Sequence, residues 1–283
     1  MAAALWKIGS ETLDVAEQAL LMGVLNVTPD SFSNPGEHAD LDVALTAALQ
    51  MASDGADIID VGGESTRPGA EPVAEMEELR RVVPVISRLR ARAKTLISID
   101  TTKAEVARAA LDAGASIIND ISGGRADERM LPLAGERGCG FIVMHMQGTP
   151  QTMQTAPRYV DVVAEVREFF RQQYARAIEY GLEPAAIAFD PGIGFGKTLE
   201  HNLELLRNLS QLRIDDRPLV VGVSRKSFLA RMTGSTQMSD RLPPTIAFTA
   251  LLRERGANVL RVHDVKPNVE ALRTTEAFLR GAR

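Results

Sequence analysis

The chain has 283 residues, 45% of them hydrophobic and 24% charged, with a net charge of −5. A chain of this size buries a core without disulfides or a structural metal, and its acidic balance argues against nucleic acid as a partner, because phosphates need a basic surface. A single cysteine, Cys139, leaves no internal disulfide; with no basic-then-apolar leader pattern at the start and no apolar stretch of membrane-spanning length, the cytoplasm is expected.

Taken in chain order, residues 1–19 precede the first strand pattern and are expected to form a hairpin that closes a barrel floor. Eight short apolar runs follow, at 20–26, 57–62, 95–100, 115–119, 141–145, 186–190, 218–224 and 257–263. Most are apolar at consecutive positions, as strands covered on both faces are. Between them, apolar residues recur at helical spacing: Leu41, Leu45, Ala48 and Ala52; Leu79, Val82, Ile86 and Leu89, with Pro84 expected to bend that helix; and Val163, Val166, Phe170 and Tyr174. Residues 102–113 run into Gly114, a helix stop. This alternation predicts an α/β fold: one domain over 1–283, a (β/α)8 TIM barrel over 20–283 with 1–19 as an N-terminal hairpin-like extension. An open doubly wound sheet is the alternative. The Pro/Gly-rich stretches 28–36 and 62–72 directly follow strands, which in a barrel makes them catalytic-face loops.

All eight runs end in, or lead into, residues that can do chemistry: Asn26, the 62–68 loop, Asp100, Asn119, His145, Asp190, Lys226, Arg261 and His263. Any one alone reads equally as a helix cap or a satisfied loop group, and Asp30, Asp54 and Asp127 are read that way; Asp60 stands open between the two. The set divides into two chemistries. Asp100, Asn119 and Asp190 offer carboxylates and an amide, suited to a flat heterocycle with several N–H donors. Arg67, Lys226, Arg261 and His263 are read as cations, suited to phosphate or another polyanion. Together they suit a phosphorylated heterocycle.

Several ordered segments resemble the dihydropteroate synthases, a pterin-binding TIM-barrel family. They are Met22 to Ser33 (MGVLNVTPDSFS), Asp60 to Gly69 (DVGGESTRPG), Ser98 to Thr101, Ile118 to Gly123, Asp190 to Lys197 (DPGIGFGK), Gly222 to Ser227 (GVSRKS) and Arg261 to Asp264. One such motif is weak evidence; the ordered set is specific. The resemblance implies a transferase of folate biosynthesis that joins 6-hydroxymethyl-7,8-dihydropterin diphosphate to p-aminobenzoate, releasing diphosphate. It implies a pterin pocket of Asp100, Asn119, Asp190, Lys226 and Arg261, walled by Ile121 and Met144. It implies a diphosphate site of Asn26, Thr66, Arg67, Arg261 and His263, with Asn26 meeting a Mg2+ ion. It implies a p-aminobenzoate pocket of Phe32, Thr66, Pro68, Phe195, Lys226 and Ser227. Arg67, Lys226, Arg261, His263 and Asp100 are the residues expected to carry catalysis, and a homodimer through barrel helices is expected.

One departure stands out. Where the family's first loop commonly reads Ser-Phe-Ser-Asp-Gly-Gly, this chain has Asn34 and Pro35 in place of the carboxylate and the first glycine. Other features read as bland. Residues 192–196 lack the spacing of a nucleotide-hydrolysing P-loop. Cys139 reads as an inert buried thiol. His145 has neither His38 nor His201 near it in the pattern, so no zinc set is expected. Arg80, Arg81, Arg88, Arg90 and Arg92 with Glu75, Glu77 and Glu78 read as a solvated charged helix face. Met144 and Met146 are expected on opposite strand faces, one of them in the core. Two rival functions remain: methyl transfer from a folate to a corrinoid, which has no use for the cationic set, and a catalytically silent scaffold.

Overall fold

The structure, a computed structural model, describes residues 4–28, 37–235 and 237–281, with side chains in the second stretch described from residue 40. Two short antiparallel strands, β1 (Leu5–Ile8) and β2 (Glu11–Asp14), precede eight parallel strands. These are β3 (Leu20–Asn26), β4 (Ile58–Gly62), β5 (Leu96–Asp100), β6 (Ile117–Asp120), β7 (Gly140–Met144), β8 (Ile187–Asp190), β9 (Val220–Val221) and β10 (Val259–Val262). They pair in the order β8-β7-β6-β5-β4-β3-β10-β9. A bridge between Phe189 and Leu219 joins the two ends, with Phe189 N donating to Pro218 O at 2.9 Å, so the sheet closes into a (β/α)8 barrel rather than an open doubly wound sheet. The helices around it are α1 (Glu37–Ser53), α2 (Glu75–Arg90), α3 (Ala104–Asp112), α4 (Met130–Arg137), α5 (Val162–Glu179), α6 (Leu199–Arg207), α7 (Ser227–Thr233), α8 (Leu242–Glu254) and α9 (Val265–Arg280).

The apolar spacings expected of helices become buried faces. Val82, Ile86 and Leu89 of α2 and Val163, Val166 and Phe170 of α5 all pack into the layer between strands and helices. Helix α2 continues through Pro84 without a break. The seventh barrel strand is much shorter than its apolar run, which spans 218–224. Part of its ladder is supplied by a side chain instead: Leu219 N donates to Asn258 Oδ1 at 3.1 Å.

Residues 1–19 were expected as a floor, and the described part of them forms one. Trp6 and Ile8 of β1 join Met22, Ile58, Ile117, Ile142 and Val259 in a second cluster inside the N-terminal end of the barrel. Trp6 is fully buried, and its indole N–H donates to Ala186 O at 2.9 Å. The segment leading from the hairpin into β3 is held by buried ions. Arg253 pairs with Glu276 at 3.0 Å and donates to Ala16 O at 2.6 Å, while Glu276 accepts from Ala19 N at 2.6 Å. Each charge is thereby met by its opposite or by a backbone group, which is what burial of ions requires.

Trp6→Ala empties the largest side chain of this floor, with both a transfer and a cavity cost. A stability loss of about 3–5 kcal/mol in urea unfolding is the expected result. A loss under about 1 kcal/mol would show that the hairpin is not part of the barrel core.

Candidate active site

The parallel strands deliver their carboxyl ends to one rim, and the centre of that rim is an ion-paired cluster. Arg261, on β10, donates from Nε to Asp60 Oδ2 on β4 and from Nη2 to Asp100 Oδ2 at the end of β5, both at 2.6 Å. Asn119, on β6, donates from Nδ2 to the same Asp60 oxygen at 3.1 Å. The predicted pterin residues Asp100, Asn119 and Arg261 are thus in one network. Asp60, left open by the sequence, is its buried anchor and not a cap; its Oδ1 is buried with no hydrogen-bond partner among the described residues. The missed signal was a carboxylate inside the apolar run of β4, where burial demands a charged partner. Burial raises the pKa of Asp100, and the neighbouring carboxylates of Asp60, Glu78 and Asp120 add to this against the opposing pull of Arg261. Burial pulls Arg261 down, but Asp60 and Asp100 outweigh it and hold its pKa above the ordinary value.

Asp190, at the end of β8, is a fourth predicted pterin residue. Its Oδ1 accepts from Gly192 N at 2.7 Å, which starts the β8–α6 loop. Burial raises its pKa, while Lys226, that backbone N–H and Arg261 lower it. Burial pushes the Lys226 amine down to about 8. Lys226 donates to Ile193 O, and its Nζ lies 4.8 Å from the centroid of the Phe195 ring. The structure therefore brings together Lys226 and Phe195, two of the residues expected around p-aminobenzoate. Gly192 and Gly196 adopt left-handed φ of +63° and +64°, and a Cβ on either would collide with backbone oxygens of His145 or Gln147. Glycine lets this loop lie directly on the one after β7.

Ile121 and Met144 form an apolar wall with Met146, Met153 and Phe195. The expectation that Met144 and Met146 lie on opposite faces was wrong. Residues two apart share a side of an extended chain, and both line the rim instead of dividing between rim and core.

On the far side, His263 N donates to Ser224 Oγ at 3.1 Å, and His263 Nδ1 lies 3.1 Å from the same oxygen. Burial, with Arg261 and Arg225, lowers the His263 pKa to about 3. His263 thus offers a neutral hydrogen-bonding ring, not the cation the sequence suggested. Arg67 and Pro68 are exposed on the β4–α2 loop, Thr66 is half-buried there, and Ser227 is exposed at the start of α7. Gly69 N of that loop donates to Pro150 O at 3.1 Å, linking it to the β7–α5 loop. Between these loops lies a cavity of about 280 Å³, lined by Thr66, Asp100, Ile121, Arg125, Met146 and Thr149 among others. Phe32, Asn34 and Pro35 lie outside the described residues.

Two readings of surface groups are corrected. Glu78 is fully buried, not part of a solvated face, and pairs with Lys103, which also binds Glu64. His201 is not remote from His145, since Tyr159 stands between them, with ring centroids at 4.9 Å and 6.1 Å. Still, no group of three or more His, Cys, Asp or Glu able to hold a metal occurs among the described residues. For a hard cation that keeps several waters, the available oxygen donors are Asn26 and Asp100: a Cβ on Gly62 would lie 3.9 Å from Asn26 Oδ1 and 3.8 Å from Asp100 Oδ2. Cys139 is buried and its thiol is pushed up to about 12, in keeping with an inert role.

Comparison with known proteins fits this geometry. A family model described as pterin binding enzyme matches residues 22–263. The dihydropteroate synthase of Escherichia coli is 47% identical, over 92% of this chain and 91% of its own. That of Synechocystis is 44% identical, over 96% of this chain and 94% of its own. The solved structure of Xanthomonas albilineans dihydropteroate synthase with 4-aminobenzoic acid superposes with a TM-score of 0.92 at 39% identity, covering 99% of this chain and all of that one.

His145, like His263, is held neutral: burial, with Lys197 and Arg125, lowers its pKa to about 2. An unfolded histidine titrates near 6.5, so below that pH the unfolded chain binds protons that the folded chain refuses. Stability contributed by both rings is therefore present above about pH 6.5 and is lost as pH falls. The imidazole 15N shifts of both should remain those of neutral rings down to pH 5; a protonated shift for either at pH 6 would contradict the geometry.

Proposed function

The chain belongs to the pterin binding enzyme family as one of its dihydropteroate synthases, and from that premise we propose how its rim carries out the reaction. It is a transferase of folate biosynthesis that condenses 6-hydroxymethyl-7,8-dihydropterin diphosphate with p-aminobenzoate to give 7,8-dihydropteroate and diphosphate. The observation that carries the mechanistic reading is the convergence of Asp100, Asn119 and Asp190 with Arg261, Lys226 and His263 on one barrel mouth.

Asp190 is the main anchor of the pterin edge. Only its Oδ1 is engaged by the loop N–H at 2.7 Å, leaving Oδ2 for ring N–H groups. Asp100 and Asn119 take the remaining ring donors and acceptors, and the ring lies between the Arg261 guanidinium and the Ile121–Met144 wall. Pterin binding asks Asp100 to share itself between the ligand and Arg261. The C–O bond to diphosphate then breaks first, its electron pair leaving with the diphosphate and the methylene carbon becoming cationic. Arg67 and Arg261 stabilise charge growing on the leaving group. Ser224 Oγ accepts from His263 N and gives its own hydrogen to Nδ1, which leaves Nε2–H as a donor to the same oxygens. Asn26 would hold a Mg2+ ion, which when bound would help neutralise the diphosphate. The arylamine lone pair of p-aminobenzoate, seated by Lys226, Phe195, Ser227, Phe32, Thr66 and Pro68, attacks the methylene carbon, and the nitrogen loses its proton afterwards. No general base need act before attack, since an arylamine is already nucleophilic. Methyl transfer to a corrinoid gives the cationic groups no role.

A homodimer through barrel helices is also proposed, supported by the exposed apolar residues Leu251 of α8 and Phe278 and Leu279 of α9. The cytoplasm is the proposed compartment, on the strength of cysteine usage; among the described residues no helix is long and apolar enough to cross a membrane.

The purified protein with Mg2+ and both substrates should form dihydropteroate, and no product under these conditions would overturn the reading. Asp190→Asn turns one acceptor into a donor facing ligand N–H groups. It should weaken pterin binding by calorimetry by about 2–4 kcal/mol with the fold kept, and near-normal affinity would remove Asp190 from its role. Arg67→Ala should lower turnover about 100-fold or more with binding of a simple pterin nearly unchanged; equal losses in both would refute a leaving-group role.

A further inference from the structure

Lys197 closes the glycine-rich β8–α6 loop and is only 3% exposed. Its Nζ has three partners: His145 Nδ1 at 2.9 Å, Phe195 O at 3.0 Å and His145 O at 3.4 Å. None carries charge, and among the described residues no carboxylate lies within ion-pair distance. A buried amine placed this way gains less than an ion pair would give it, so it is an expensive way to fill space. What distinguishes it is where its acceptors come from. His145 belongs to the loop after β7 and Phe195 to the loop after β8, so Nζ is the cross-link between two neighbouring rim loops.

The loop is held from the same side by a second donor, Tyr159 Oη to Gly196 O at 2.8 Å. Its other face belongs to the active site. There Ile193 O accepts from Lys226 Nζ, and the Phe195 ring sits beneath that amine at 4.8 Å. One short backbone segment therefore lies between two lysines, with Lys226 toward the substrates and Lys197 behind. A hydrogen bond to Phe195 O fixes the peptide that carries the ring. Lys197 itself is buried behind Phe195 and acts only through it.

We propose that Lys197 is a positioning residue for the second substrate, fixing Phe195 from behind the loop and thereby the place of its ring beside Lys226 and p-aminobenzoate. This rests on the dihydropteroate synthase reading above, in which Phe195 and Lys226 seat the arylamine. The wild-type protein in the same assay tests that reading separately: if it forms no dihydropteroate, the reading fails, whereas a failure confined to variants concerns Lys197 alone.

Lys197→Met keeps length and removes the donors. The Michaelis constant for p-aminobenzoate should rise about 10-fold or more, with turnover changed less than about 3-fold and binding of 6-hydroxymethylpterin by calorimetry within about 2-fold. A merely structural lysine gives a different pattern, in which a smaller folded fraction lowers turnover and leaves the Michaelis constant alone; that result overturns the proposal, as does equal weakening of pterin binding. Because Lys197 acts through Phe195, the effects of Lys197→Met and Phe195→Ala on the Michaelis constant should not multiply in the double variant, and multiplication would also overturn it. Should Lys197→Met fail to fold, Tyr159→Phe removes the milder hold on the same loop. It should raise the Michaelis constant for p-aminobenzoate in the same selective way, and an unchanged constant would overturn the proposal.

Discussion

Arg261 reaches across the barrel mouth from the last strand and gives one N–H to Asp60 and another to Asp100, each at 2.6 Å. Each of the three groups needs the others. A guanidinium this deep would carry a large desolvation cost without counter-charges, and two carboxylates so close would repel without it. Removing Arg261 leaves two buried carboxylates without a counter-charge, a larger penalty than the pairs' net worth. The same balance prepares the site for its ligand. A pterin edge arriving with N–H groups finds Asp100 already desolvated and already oriented, so little further ordering is needed on binding.

Similar cross-links recur around the rim, tying successive loops to one another. Lys103 at the end of the β5–α3 loop binds Glu64 of the β4–α2 loop. Arg125 after β6 donates to Met146 O after β7 at 2.9 Å. Lys197 does the same from the β8 loop to His145, and Arg225 after β9 pairs with Asp264 after β10 at 2.5 Å. In each, a long cationic side chain from one loop reaches the backbone or a carboxylate of its neighbour. Loops built this way can carry a site because their positions are shared rather than independent.

The barrel was legible because its signal is periodic and repeated: eight apolar runs separated by helical spacing leave few alternatives. The strand-end residues Asp100, Asn119, Asp190, Lys226, Arg261 and His263 were legible for the same reason, as polar groups that end apolar runs. What stayed hidden depended on partners distant in the chain. Asp60 and Glu78 are buried because Arg261 and Lys103 reach them; the apolar run around Asp60 signals its burial but not its partner, and nothing near Glu78 in sequence announces either. His263 reads as a cation until its burial beside Arg261 is seen. Lys197 looks like the tail of a glycine motif until Phe195 O and His145 are found around its amine. Met146 was misplaced by an error of parity rather than by any concealed contact.

The closure of the barrel has a mechanical consequence. From β8 round to β3 the strands are laced by continuous ladders, but β9 has two residues and meets β8 through one bridge. The cylinder is thus a stiff arc with a soft seam, and the residues proposed for the two substrates stand on unequal ground. Asp100, Asn119 and Asp190 stand on the arc, whereas Lys226 and Ser227 follow β9 and ride on the seam. Slow amide exchange should mark the arc and faster exchange the seam. On the proposed assignment, the pterin half of the pocket would then behave as a rigid mould and the arylamine half as a yielding one, with shape changes in the second substrate absorbed where the wall can give.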